Sequence, residues 1–165
     1  MGWKIIDGRL GMQRIDVTDA TQQHPLGTRV KAEHETYGAG EFIYLLGVAS
    51  TAIGSFVTYN ADDFSSALLA ANAKGPVAIA MSANVADQYG WYQIYGKGVG
   101  AVLASFADNA DIYATATAGS VDDAVVAGDR VQGAKGASAI DTPSTGLAEM
   151  EIAYPFVDDG VGGGS

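Results

Sequence analysis

Polar and apolar residues alternate one for one through much of the middle of the chain. The run RVKAEH at 29–34 has the period of two expected of a half-buried strand. EFIYLL at 41–46 is apolar on both faces, as a strand covered on both sides must be. Further strands fit residues 55–59, 77–81, 91–95, 101–105, 112–117, 131–133 and 148–154. Turn signals punctuate them: YGAG at 37–40, NADD at 60–63, GP at 75–76 and GKG at 96–98. Turns recurring every 8–12 residues or so are the spacing of a sandwich or barrel. The pattern predicts an all-β fold, a compact β-sandwich or β-barrel.

One segment predicts a different element. SSALLAANAK at 65–74 is rich in Ala and Leu, with Asp62 and Asp63 placed as N-terminal caps and Gly75 as a stop. On propensity it is one short helix. The two ends carry neither period. Residues 1–25 read as an extended N-terminal arm: Trp3, Ile5 and Ile6 form a small apolar cluster, followed by glycines and a polar run ending at Pro25. Such backbone gains order by lying against a neighbour or against its own body. Residues 26–158 form the β-rich body, and 159–165, ending in GVGGGS, have the composition of a flexible tail.

Composition narrows the function. A chain of 165 residues can bury roughly 70% of its unfolded surface, enough for a core without metal or disulfide. It has no cysteine, which excludes disulfides, thiolate metal sites and cysteine nucleophiles. Apolar stretches such as residues 99–107 fall well short of the roughly 20 residues of a membrane-spanning helix. The N-terminus, with Asp7, Arg9 and Arg14, does not resemble a signal peptide. Net charge is −10, but residues 1–31 carry +2 and the remainder −12. The acidic body would repel phosphates, so no nucleic-acid partner is expected. The basic N-terminal segment suits an acidic partner.

Catalysis finds no constellation. His24 and His34 have no zinc-ligand spacing, so no metal or cofactor is predicted. Asp62-Asp63, Asp122-Asp123 and Asp158-Asp159 are adjacent pairs in turn contexts. Neighbours along a strand point to opposite faces, unlike the facing carboxylates of a glycosidase. Gly54-Ser55 lacks the second glycine of a nucleophile elbow. Gly96-Lys97-Gly98-Val99-Gly100 lacks the order of a phosphate loop, and hairpin turns explain its glycines more simply.

The aromatics point to adhesion. Tyr89, Trp91, Tyr92 and Tyr95 crowd one segment, placing large rings on both of its faces. Such a strand is central in a sandwich or covered on its outer side by a partner, where Trp and Tyr supply rigid contacts. The candidate partner-binding residues are therefore Trp3, Ile5, Ile6, Arg9 and Arg14 of the arm, with Trp91 and Tyr92.

Several runs carry a resemblance. HPLGTRV at 24–30, YGAGEFIYLLGVA at 37–49, GSFVTYN at 54–60, DQYGWYQIYG at 87–96, ADIYATATAGSVDDA at 110–124 and GLAEMEIAYPFV at 146–157 resemble head decoration, or cement, proteins of tailed bacteriophages. The resemblance implies a non-enzymatic virion protein, made in the host cytoplasm, that binds the outer capsid surface. Its implied partners are the major capsid protein and copies of itself, most often as a homotrimer. Competing readings are a carbohydrate-binding module using the Trp/Tyr cluster, and a hydrolase using Asp122 or Asp123.

Overall fold

The computed structural model describes residues 2–6 and 12–160. It is all-β and antiparallel. The twelve strands are β1 (Lys4–Ile5), β2 (Thr18–Asp19), β3 (Arg29–His34), β4 (Gly38–Leu46), β5 (Phe56–Tyr59) and β6 (Ser66–Leu68), then β7 (Gly75–Ala80), β8 (Tyr89–Ala101), β9 (Asp111–Ala114), β10 (Val121–Asp122), β11 (Arg130–Gly136) and β12 (Leu147–Val157). The main path runs β1-β3-β4-β8-β7-β12-β11-β9-β10, with β2 on β8 and the β5–β6 pair on β7.

β8 organises the molecule because it changes partners along its length. Its first half pairs with β4, from Tyr89↔Leu46 to Tyr95↔Glu41. Its second half pairs with β12, from Tyr95↔Ala153 to Ala101↔Leu147. Around Tyr92 and Gln93 it also meets β7, which pairs in turn with the end of β12. Gln93 is fully buried where the neighbours diverge, and its amide nitrogen donates to the carbonyls of Tyr95 and Lys97, both at 3.1 Å. The glycines at 96–100 therefore lie inside a strand and not in a hairpin turn as expected. Close packing requires them: a Cβ on Gly98 would come within 2.0 Å of the Gln93 side chain, and one on Gly100 within 2.4 Å of the Phe56 ring.

Alternation along the central strands divides the apolar side chains into three clusters. Val77 and Ile79 of β7 join Phe56, Leu69, Phe106, Ile112, Val131, Met150 and others in the main core. Ala78 and Ala80 face the opposite way, with Ile43, Leu45, Val57, Tyr92 and Ile94. Phe42, Tyr44 and Trp91 form the third cluster with Ile15, Val30 and Ala32, joined by Trp3, Ile5 and Met12.

The helix expected over 65–74 does not form. Ser66–Leu68 is a strand, with Val57↔Leu68, Thr58↔Ala67 and Tyr59↔Ser66 in register. Leu68 packs on the second cluster while Leu69 enters the main core, so consecutive leucines are buried in opposite directions. A strand achieves that and one helix face does not, so packing overrides a weak propensity. Asp63 still serves a turn, its carboxylate accepting from the Ser65 amide and hydroxyl at 3.0 and 2.7 Å.

Candidate interaction surfaces

The aromatic strand is central, and its outer side is covered by the chain's own N-terminal segment. Trp91 and Tyr92 are fully buried on opposite faces of β8. The Trp91 indole N–H donates to the Gln13 carbonyl at 3.0 Å. The Gln13 side chain in turn accepts from the Tyr44 hydroxyl at 2.8 Å and donates to the carbonyl of Val17 at 2.9 Å. His24 completes the cover, with its ring 5.1 Å from Tyr44 and 5.5 Å from Trp91. Tyr92 donates no surface either: its hydroxyl accepts from the Asn84 amide at 3.1 Å, and burial holds its phenol above the usual pKa. Neither ring is available to a partner or a sugar in this structure.

Of the arm candidates, Trp3 and Ile5 pack against the cluster that holds Trp91, as core and not as free surface. Trp3 and Ile5 are half-buried, Ile6 is exposed, and Arg14 is exposed in a 2.8 Å pair with Asp16. Arg9 lies outside the described residues. A surface pair such as Arg14–Asp16 contributes little to stability. The arm residues and the β8 rings are therefore not one binding surface.

A different group of aromatics faces solvent. Tyr95, at the point where β8 passes from β4 to β12, is 42% exposed, and Tyr154 of β12 is 49% exposed. Their ring centroids lie 5.3 Å apart with planes inclined by 37°. Phe156, two residues further along β12, is 46% exposed. β12 alternates regularly as far as Ile152, whose partner on β11 is Ala134; the next paired residues are Phe156 and Gln132, so three residues of β12 oppose Gly133 alone. Within this bulge Tyr154 adopts φ 47°, a left-handed conformation that a bulky side chain rarely takes. Its hydroxyl hydrogen-bonds the Glu41 carboxylate, which raises the phenol pKa. Two residues beyond Tyr95 on β8, Lys97 is paired with Glu149 at 2.9 Å and lies 5.6 Å from the centre of the Tyr37 ring.

The sequence carried a faint mark of this surface. Glu149, Glu151 and Ala153 alternate with buried Ala148, Met150 and Ile152, and Tyr-Pro-Phe at 154–156 breaks the rhythm. Proline inside a strand pattern signals an edge or a bulge. The carboxylate pairs meanwhile serve turns: Asp123 accepts from the Ala107 amide at 2.9 Å, Asp122 from the Asp123 amide at 2.9 Å and Asp158 from the Gly160 amide at 3.1 Å. No cluster of metal-ligating side chains occurs among the described residues. No protein-family model, curated protein or solved structure matches the chain.

Proposed function

We propose that the chain is a non-catalytic virion protein that binds the outer capsid surface through the Tyr95, Tyr154 and Phe156 face and stabilises or decorates the shell. The observation that supports this reading most is Tyr154. Its left-handed backbone persists although about half of the residue is in solvent and its ring is held at the surface, against Tyr95 and by the bond to Glu41. Strain of that kind concentrates at functional sites. Exposed Tyr and Phe flanked by charged groups have the composition of a docking surface. The mechanism is linkage: a protein that binds only the assembled lattice lowers its free energy relative to disrupted states, and weak contacts add over many copies. In this reading the partner is the major capsid protein and the bound form is a homotrimer.

The test mixes the purified protein with capsids that lack it, sediments them, and then heats them. Saturable binding with a raised disruption temperature supports cementing, and binding without added stability supports decoration. Truncating a central aromatic of such a surface costs about 2 kcal/mol or more, so Tyr154→Gly should weaken binding by more than about tenfold. Absence of binding sinks the reading. A glycan-array signal that Tyr154→Gly abolishes would transfer the same rings to a carbohydrate.

A further inference from the structure

β1 holds to the body by very little, yet its seat is specific. Among the described residues, Lys4↔Glu33 and Ile5↔Ala32 are in register with β3, and the Ile6 amide donates to the Lys31 carbonyl at 3.0 Å. Specificity comes from Trp3. Its ring lies 4.9 Å from Phe42 edge-on, 5.1 Å from His34 and 6.5 Å from Tyr37, while His34 and Tyr37 are themselves stacked at 4.7 Å. The floor of this seat is Gly40, where a Cβ would come within 3.0 Å of the Trp3 ring. His34 is fixed in turn, its Nδ1 accepting from the Thr36 amide at 3.1 Å. Beside the ring runs a groove of about 360 Å³ lined by Lys4, Ile6, Glu33, His34 and Glu35. The chain thus contains a pocket for an indole next to a strand edge that accepts an extended Trp-x-Ile segment, which is how added strands are recognised: backbone bonds supply affinity and a pocket supplies specificity.

We infer that this seat is exchangeable, and that in a dense array it accepts residues 2–6 of a second copy. The contacts made in trans are the ones made in cis, so exchange requires no new surface. What favours the cis form in dilute solution is the tether, worth an effective concentration on the order of millimolar. Met12 and Gln13 stay on their own body, through the third cluster and the Trp91 hydrogen bond. Six peptide links separate Ile6 from Met12 and span at most roughly 20 Å, so only a close neighbour is within reach. Packing copies at that distance raises the local concentration of the competing arm to that of the tethered one. The exchange concerns only two copies of this chain and can be tested without a capsid, whereas the dense array in which it would operate rests on the capsid reading.

The absence of cysteine makes a direct test clean. Lys4 and Glu33 are both exposed and directly opposed across the strands. Such neighbours lie about 5.5 Å apart at Cα, within disulfide reach. A full-length Lys4→Cys, Glu33→Cys double variant, dilute under oxidised glutathione, should close a disulfide within one chain. Full-length Lys4→Cys mixed with full-length Glu33→Cys at high concentration should then form a disulfide between chains. The expected rate is about tenfold above that of Lys4→Cys with Val125→Cys, a position 79% exposed and outside the seat. Adding Trp3→Ala to the Lys4→Cys chain should remove the preference. Equal rates at positions 33 and 125, or a preference that survives loss of Trp3, would overturn the inference. So would failure of the double variant to close, because the pairing of β1 with β3 would then be wrong.

Discussion

The strained backbone at Tyr154 gives a prediction that isolates one physical cause. Replacing Tyr154 by Ala or by Gly removes the same ring contact with Tyr95 and the same hydrogen bond to Glu41. The two variants then differ only in how their backbone tolerates φ 47°. A left-handed conformation costs a residue bearing a Cβ about 1–2 kcal/mol. Glycine escapes that but loses more conformational entropy on folding, by roughly 0.5–1 kcal/mol. The net expectation is that Tyr154→Gly is more stable than Tyr154→Ala by about 1 kcal/mol, or a few degrees in melting temperature for a chain of this size. Urea unfolding followed by fluorescence of the buried Trp91 measures it, provided both variants share one denaturant slope. An Ala variant as stable as the Gly variant would mean that the bulge relaxes at no cost. The case that Tyr154 is held in place for function would then lose its footing. If the difference appears, Tyr154→Gly becomes the variant of choice for binding work, since it removes the ring without adding strain.

Gln13→Ala removes the acceptor of the Tyr44 O–H, which then keeps only the bond it accepts from the Gln23 amide, and the side-chain donor to the Val17 carbonyl. It should destabilise the fold by about 1–3 kcal/mol, seen as a lower melting temperature with faster amide exchange over residues 12–24; wild-type protection there would refute the anchoring role. Alkaline titration should unfold the protein through Tyr92. Burial raises its folded-state pKa, so the stability it contributes is intact below the ordinary tyrosine value of about 10 and is lost as pH rises through the folded value. Tyr92→Phe should unfold at higher pH than the wild type in a denaturant-free scan, and an unchanged midpoint would assign the alkaline transition to other groups.

Local rules carried the strand ladder a long way. RVKAEH at 29–34 is β3 residue for residue, because one face of that strand is buried and one is wet, the condition under which period two is written into the side chains. EFIYLL at 41–46 is buried on both faces, Phe42 and Tyr44 under the N-terminal segment and Ile43 and Leu45 in the second cluster. The all-β class followed from those patterns and their turns. The short segment at 65–74 did not follow, because Ala and Leu suit a helix when alone and a strand when two leucines have cores on opposite sides.

What covers a ring is decided by residues far away in the chain. From the sequence, Trp91 and Tyr92 are equally good as core or as interface; Gln13, 78 positions earlier, settles it by lying over Trp91. The glycines at 96–100 announce a turn by composition, yet β8 continues through them with Gly96 at φ 105°, and Gln93 and Phe56 occupy the space that side chains at 98 and 100 would need. Tyr95 and Tyr154 become one exposed pair only because β8 leaves β4 for β12 at that point and a bulge turns Tyr154 outward. Alternation, turn chemistry and charge are properties of neighbours in sequence, so the chain by itself determined the fold class, the regularly alternating strands such as β3, and the acidic body. Burial and juxtaposition depend on which distant strands pair, and only the tertiary structure decided which aromatics are core and which face solvent.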